Sequence, residues 1–180
     1  ENGPGKQICE DGQADILLNI SSSPYFKGKG KARENMIRQR ARQYKAHIVY
    51  ANLIGGQDEL VFDGHSLVVA PDGTFVTKGN AFEEEMIYAD LKIYPKTAKK
   101  NLKKTINSSI RTYHLPTILT NVSKPRILKR RVPRIESIEE IFKALVLGTR
   151  DYMKKNGFSK AVIGLSGGID SALTAVIAVK

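Results

Sequence analysis

The sequence predicts an α/β protein of two unlike halves, a mixed α/β sandwich followed by the opening of a parallel-sheet domain. Three observations carry this. Short β-branched and apolar runs alternate with one amphipathic helix through the first ninety residues. A strand, a Gly/Ser loop and an apolar helix succeed one another near the end. Between them lies a Lys/Arg- and Pro-rich stretch that reads as a connector. Strands with a crossover helix and a hairpin belong to a sheet covered by helices, which sets aside an all-helical domain.

The elements follow in order. Ala14–Ile20 (ADILLNI) is a mostly apolar run of buried-strand character, closed by a Ser-Ser-Ser-Pro turn. Lys31–Ala46 sets charged residues around Met36, Ile37, Ala41 and Tyr44, the pattern of an amphipathic helix. His47–Leu53 is a β-branched and aromatic strand. Leu67–Ala70 and Thr74–Lys78 flank Pro71-Asp72-Gly73 and read as a hairpin. Met86–Leu91 reads as a further strand. In the second half, Ser137 and Glu140 have capping-box spacing ahead of the stripe Ile138, Ile141, Phe142, Leu145, Tyr152. Lys154 and Lys155 suit the end of that helix, and Asn156-Gly157 supplies its left-handed stop. Lys160–Leu165 reads as a buried parallel strand, and Ala172–Lys180 as an apolar helix. One strand and two helices cannot bury the faces of a sheet, so the second domain is expected to continue beyond this chain.

Of 180 residues, 41% are apolar, enough to build a core rather than a disordered chain. No apolar run reaches the roughly 18 residues that span a bilayer, and the first residues lack the basic flank and apolar stretch of a signal peptide. A single cysteine, Cys9, excludes an intrachain disulfide framework and a multi-cysteine zinc site. His47, His65 and His114 show no ligand spacing. These features lead us to expect a soluble, intracellular protein with few metal ligands of its own.

The charge is concentrated. Lys96–Arg134 holds twelve Lys/Arg and no Asp or Glu, against a net charge of +11 for the whole chain. Such a stretch could bind nucleic acid. It offers only Tyr113 for base stacking, however, and no recognisable nucleic-acid motif, so a solvated linker facing an acidic neighbour or a phosphate-rich ligand is the better reading. The expected division is therefore 1–94, a basic linker over 95–134, and 135–180.

The loop Gly164-Leu165-Ser166-Gly167-Gly168-Ile169-Asp170-Ser171 lies between strand and helix. Glycines admit phosphate oxygens close to backbone amides, the helix N-terminus favours negative charge, and Ser166 and Ser171 add hydroxyl donors. Walker A spacing is absent. Asp170, itself an anion, suits Mg2+ or organisation of the turn rather than phosphate. GLSGGIDS is similar to the SGGxDS pyrophosphate loop of the ATP pyrophosphatase superfamily, and the surrounding DYMKKNGFSKAVIGLSGGIDSALTAVIA looks most like the NAD synthetases within it. That likeness implies ATP and Mg2+ as cofactors, ATP binding by residues 164–171, and a Rossmann-like doubly wound fold for the second half.

Cys9 stands in ICED, ahead of the first strand, beside Glu10 and Asp11. A lone cysteine is ordinarily an inert buried thiol, but those two carboxylates do not suit a purely apolar pocket. ICED, then NISSSPYFKGK (Asn19–Lys29), then IVYANLIGGQDELVFDGHSLVVAPDG resemble the glutaminase domain of glutamine-dependent NAD synthetases. That domain belongs to the nitrilase (carbon–nitrogen hydrolase) superfamily and has an αββα sandwich, here in part. By this likeness Cys9 is the nucleophile toward the glutamine carboxamide, and Ser23 and Lys29 hold the amino-acid end of glutamine. A lysine there can pair with the α-carboxylate. The superfamily's Glu base and Lys lie upstream of its cysteine, and the eight residues before Cys9 are too few to carry them. The loop between ICED and the strand is also shorter than in the family.

The resemblance as a whole implies a cytoplasmic ligase of NAD biosynthesis. It would amidate nicotinic acid adenine dinucleotide with ATP, using ammonia released from glutamine. It would be a homo-oligomer without nucleic-acid or membrane partners. Two other readings stay open: another amidotransferase or stand-alone carbon–nitrogen hydrolase, and a non-catalytic module binding nucleic acid through the basic segment.

Overall fold

Residues 3–93, 110–116, 125–128, 130, 132–133 and 135–180 are described by the computed structural model. The chain enters through α1 (Pro4–Glu10), with Pro4 opening the helix, where a missing N–H costs nothing. β1 (Ile16–Ser21) follows, then α2 (Lys29–Tyr44) and β2 (His47–Asn52). β3 (Ile54–Gln57) and β4 (Leu60–Asp63) form a two-stranded hairpin. β5 (Leu67–Val69) and β6 (Phe75–Lys78) form a second one. Then come α3 (Ser137–Lys155) and α4 (Ile169–Val179).

The larger sheet runs β1-β2-β5-β6. β1 and β2 are parallel, from Ile16 opposite His47 to Ser21 opposite Asn52, joined by the crossover helix α2. The rest of that sheet is antiparallel. α1 and α2 cover one face, and the core between them gathers Cys9, Ile37, Ala41, Tyr44, Ile48, Tyr50, Leu67 and Val69. A helix layer on a mixed sheet is half of the expected αββα sandwich, and the α/β class is as the sequence predicts. α2 also secures the β5–β6 turn. Arg38 and Arg42 donate to the carbonyls of Gly73 and Asp72, and Asp72 accepts from the Thr74 amide at 2.8 Å. The expected helix, the strand after it and the hairpin are all present.

Four expectations need correction, and two elements go beyond the sequence reading. β1 is a strand but is not buried: Leu18 and Ile20 are 72% and 92% exposed on the face away from α2. Met86–Leu91 forms no strand. Phe82, at φ 64°, bends the chain toward Asp63, whose carbonyl accepts its N–H, and Met86–Leu91 joins no ladder with β6. Lys160–Leu165 forms none either: among the described residues no strand lies beside it, and unpaired backbone cannot build a ladder. Ser137 is the first residue of α3 rather than its cap; Glu136 takes that place and no side chain caps it. Finally, α1 and the β3–β4 hairpin were not read from the sequence. The stop of α3 is as expected: Gly157 has φ 75°, and the amides of Gly157 and Phe158 bond back to Lys154 and Met153.

The second half meets the first through α3. Ala144 and Leu147 pack with Ala81 and Phe82, and Tyr25, Ile54, Val61 and Ile135 close around them. Asp151 accepts the Gly56 amide at 2.8 Å, and Lys155 donates to the Gly56 carbonyl at 2.5 Å. A Cβ at Gly56 would lie 3.0 Å from the Cα of Gly148, so the hairpin and helix backbones approach as closely as two glycines allow. Most of Lys96–Arg134 lies outside the described residues; within them, Arg130 pairs with Glu85.

Candidate functional site

The loop between β1 and α2 carries Ser23 and Lys29. Its shape is set by neighbours rather than by its own turns. Asn52, at the end of β2, accepts the Ser23 amide on Oδ1 at 2.8 Å and donates from Nδ2 to the Ser23 carbonyl at 3.3 Å. Two residues on, the Tyr25 amide donates to the Val61 carbonyl at 2.6 Å. Gly28, at φ 82°, then turns the chain into α2. Lys29 opens that helix half-buried, its ammonium donating to the Pro24 carbonyl at 2.6 Å and lying 4.9 Å from the Phe26 ring.

Beneath the loop lies a buried ion pair. One helical turn after Lys29, Arg33 donates from Nη2 and Nη1 to Asp63 at 2.9 and 3.1 Å, and the side chains are 3% and 1% exposed. Asn52 Nδ2 reaches the same carboxylate at 3.4 Å. The pair neutralises Arg33, which leaves Lys29 as the cation of this turn facing the loop. The sequence reading missed Asn52, Asp63 and Arg33. A signal was available: Arg33 sits on the same stripe as Ile37, Ala41 and Tyr44, and an arginine on an apolar stripe needs a buried partner.

Tyr25 lies edge-on to Phe82 with ring centroids 5.3 Å apart. Its hydroxyl is buried without a hydrogen-bond partner among the described residues. Burial raises its pKa above the ordinary phenol value, and the charges of Glu140 and Asp63 raise it further. Burial likewise raises the carboxyl of Glu140, on α3, with Asp63 adding to the effect. The loop that carries Ser23 thus faces α3 through a phenol and a carboxyl group, both biased toward their neutral forms.

Cys9 is placed elsewhere. It is 4% exposed, on α1, within the apolar cluster under α2. The Ile8 carbonyl accepts the Ala14 amide, and a Cβ at Gly5 would meet Tyr44 and Leu17, so α1 lies by the start of β1 and the end of α2. Ser23 follows the far end of β1, and Lys29 opens α2 at the end opposite Tyr44. The structure brings Ser23 and Lys29 together and leaves Cys9 apart from them.

The third group is the loop at 164–171. Gly167 adopts φ 82°, and Gly168 caps α4 in extended conformation. Ser171 Oγ donates to the Gly168 carbonyl at 3.0 Å and lies 3.2 Å from Ser166 Oγ, and the Ser166 amide donates to Ser171 at 3.3 Å. The two serines brace a turn whose next amides begin α4. Ser166 through Asp170 are exposed, and Ser171 is partly so. Asp170 is the acidic residue in the first turn of α4. Among the described residues no three His, Cys, Asp or Glu gather as a metal cluster. One carboxylate fits Mg2+ that is held mainly by phosphate oxygens and water.

Comparison with known proteins covers both halves. Residues 6–94 match the carbon-nitrogen hydrolase family and residues 141–180 the NAD synthase family. The chain is 40% identical over 91% of its length to the glutamine-dependent NAD(+) synthetase of Thermotoga maritima, and 39% identical over 99% to that of Aquifex aeolicus. It spans 29% and 32% of those relatives. The glutamine-dependent NAD+ synthetase of Acinetobacter baumannii, solved in complex with adenosine diphosphate, superposes with a TM-score of 0.73 at 33% identity, over 97% of this chain and 28% of that one. No helix among the described residues is long and apolar enough to cross a membrane. In its two joined segments, one of the carbon-nitrogen hydrolase family and one of the NAD synthase family, the chain is similar to the glutamine-dependent NAD(+) synthetases.

Proposed function

We propose that this chain is the part of a cytoplasmic, homo-oligomeric glutamine-dependent NAD+ synthase that joins its two chemistries. Residues 1–94 belong to glutamine hydrolysis and 135–180 to ATP-driven amidation, with 95–134 as the linker. The observation that carries this reading is the presence of both family segments in one polypeptide, in the order found in its relatives.

In the first reaction, the Cys9 thiol passes its proton to a neighbouring base as its sulfur attacks the glutamine carboxamide carbon, the base returns that proton to the departing nitrogen so that ammonia leaves, and water hydrolyses the thioester to glutamate. Lys29 pairs with the substrate α-carboxylate and Ser23 holds its amino-acid end. Cys9 is the only thiol in the chain, so the role has no competitor within it. In this structure Cys9 is buried on α1 beside Tyr44 and apart from Ser23 and Lys29, so the attack requires α1 to leave Tyr44 and carry the thiol toward the loop that holds the substrate. In the second reaction, nicotinic acid adenine dinucleotide is adenylated by ATP with loss of pyrophosphate, and ammonia then displaces AMP. Residues 164–171 present backbone amides and two hydroxyls to the pyrophosphate, and Asp170 would hold Mg2+, which neutralises phosphate charge.

Cys9→Ala in the complete enzyme carrying this chain tests the reading. Glutamine-driven synthesis should fall at least 100-fold, while synthesis from added ammonia stays within about twofold, because ammonia bypasses the thioester. Equal loss of both would overturn the two-reaction reading. Iodoacetamide should label Cys9 faster when glutamine-site opening is promoted by mild urea, as expected of a thiol covered by α1.

A further inference from the structure

Asn52 is bonded on all sides. Its backbone amide donates to Ser66 Oγ at 3.0 Å, its Oδ1 accepts the Ser23 amide at 2.8 Å, and Tyr50 Oη lies 3.3 Å from that same oxygen. Its Nδ2 is shared between the Ser23 carbonyl and Asp63. A carboxamide carries a separate acceptor and donor on one uncharged group, so it can take the N–H and hold the C=O of the same residue at once. Asp63 in turn is fixed by both guanidinium nitrogens of Arg33, and Arg33 follows Lys29 by one turn on the same face of α2. One continuous set of hydrogen bonds thus relates the Ser23 backbone to the start of α2.

We propose that Asn52 is the positioning residue of the glutamine-binding loop, gripping the main chain at Ser23 and, through Asp63 and Arg33, keeping Ser23 in register with Lys29. The inference rests on the glutamine site proposed above. Asn52 touches no reacting atom. It acts by fixing where two substrate contacts stand relative to each other, so its loss weakens binding of the amino-acid end more than it slows the chemistry.

The experiment compares wild type, Asn52→Ala and Asn52→Asp in the complete enzyme, with glutamine hydrolysis kinetics and amide hydrogen exchange over 21–26. Asn52→Ala should raise the glutamine KM about tenfold with kcat changed less than about threefold. Exchange over 21–26 should speed at least tenfold, while exchange over β5 and β6 stays at the wild-type rate. Asn52→Asp has nearly the same shape but sets a carboxylate against the Ser23 carbonyl and Asp63, so its KM should rise at least as much. A side chain that merely fills space would tolerate it. Unchanged exchange over 21–26, or faster exchange with wild-type KM in an active enzyme, overturns the inference and leaves the proposed function standing. A wild-type enzyme without glutamine hydrolysis removes the proposed function and the inference with it.

Discussion

Arg33 and Asp63 are almost wholly withdrawn from water, so each depends on the other for its charge to be tolerated. Removing one partner leaves the other stranded. Asp63→Ala should therefore destabilise the fold by about 3–5 kcal/mol, read from urea unfolding monitored by circular dichroism. A loss below about 1 kcal/mol would mean that water reaches Arg33. Glu34 is a milder case. Its carboxylate accepts from His65 at 2.9 Å and from Lys78 at 2.8 Å, and its pKa is lowered from 4.5 to about 2, chiefly by the His65 hydrogen bond. Because the folded value lies below the unfolded one, the stabilisation is present above about pH 4.5 and is lost as pH falls toward 2. It amounts to on the order of 2 kcal/mol. Glu34→Gln should flatten that limb of the stability-versus-pH curve while leaving other acid-sensitive contributions in place.

At the scale of elements, the contact between α3 and the β3–β4 hairpin rests on small residues. Gly56 faces Gly148 and Gly55 faces Asp151, and a Cβ at Gly148 would approach Val61 to 3.0 Å. With backbones this close, Asp151 can accept from the Gly56 N–H while Lys155 donates to the Gly56 C=O. Gly56→Val should force the helix away, break both bonds and cost about 1–3 kcal/mol. The expected signature is faster hydrogen exchange in both α3 and the hairpin, with α2 unaffected. Protection of α3 equal to wild type would show that the helix docks by Ala144 and Leu147 alone.

For the molecule as a whole, the proposed reactions occupy separate parts of the chain, so damage to one should spare the other. Asp170→Asn keeps the turn braced by Ser166 and Ser171 but removes the carboxylate offered to Mg2+. Pyrophosphate release should fall at least tenfold with either glutamine or ammonia as nitrogen source, while glutamate release persists. Ser166→Ala should show the same pattern more mildly, because backbone amides and the start of α4 remain. Normal pyrophosphate release from Asp170→Asn would assign the carboxylate to the turn alone.

How far each of these features is legible in the sequence depends on the range of the interaction that makes it. The stripe Ile37, Ala41, Tyr44, the turn Pro71-Asp72-Gly73 and the stop at Gly157 are local, because periodicity and backbone preference act over a few residues. The Gly/Ser loop and the ICED and NISSSPYFKGK motifs are equally local patterns. Burial of β1 and pairing of Lys160–Leu165 are not, because a strand is completed only by what lies beside and above it. The same holds for the fit of Gly56 against Gly148 and for the chain of bonds from Ser23 through Asn52 and Asp63 to Arg33. The sequence by itself determined the α/β class, the local elements and the family motifs. Only the tertiary structure decided that Ser23 is tied through Asn52 and Asp63 to Arg33, one turn after Lys29, while Cys9 lies under α2, because those partners are separated by tens of residues and meet only when helix, sheet and hairpin pack.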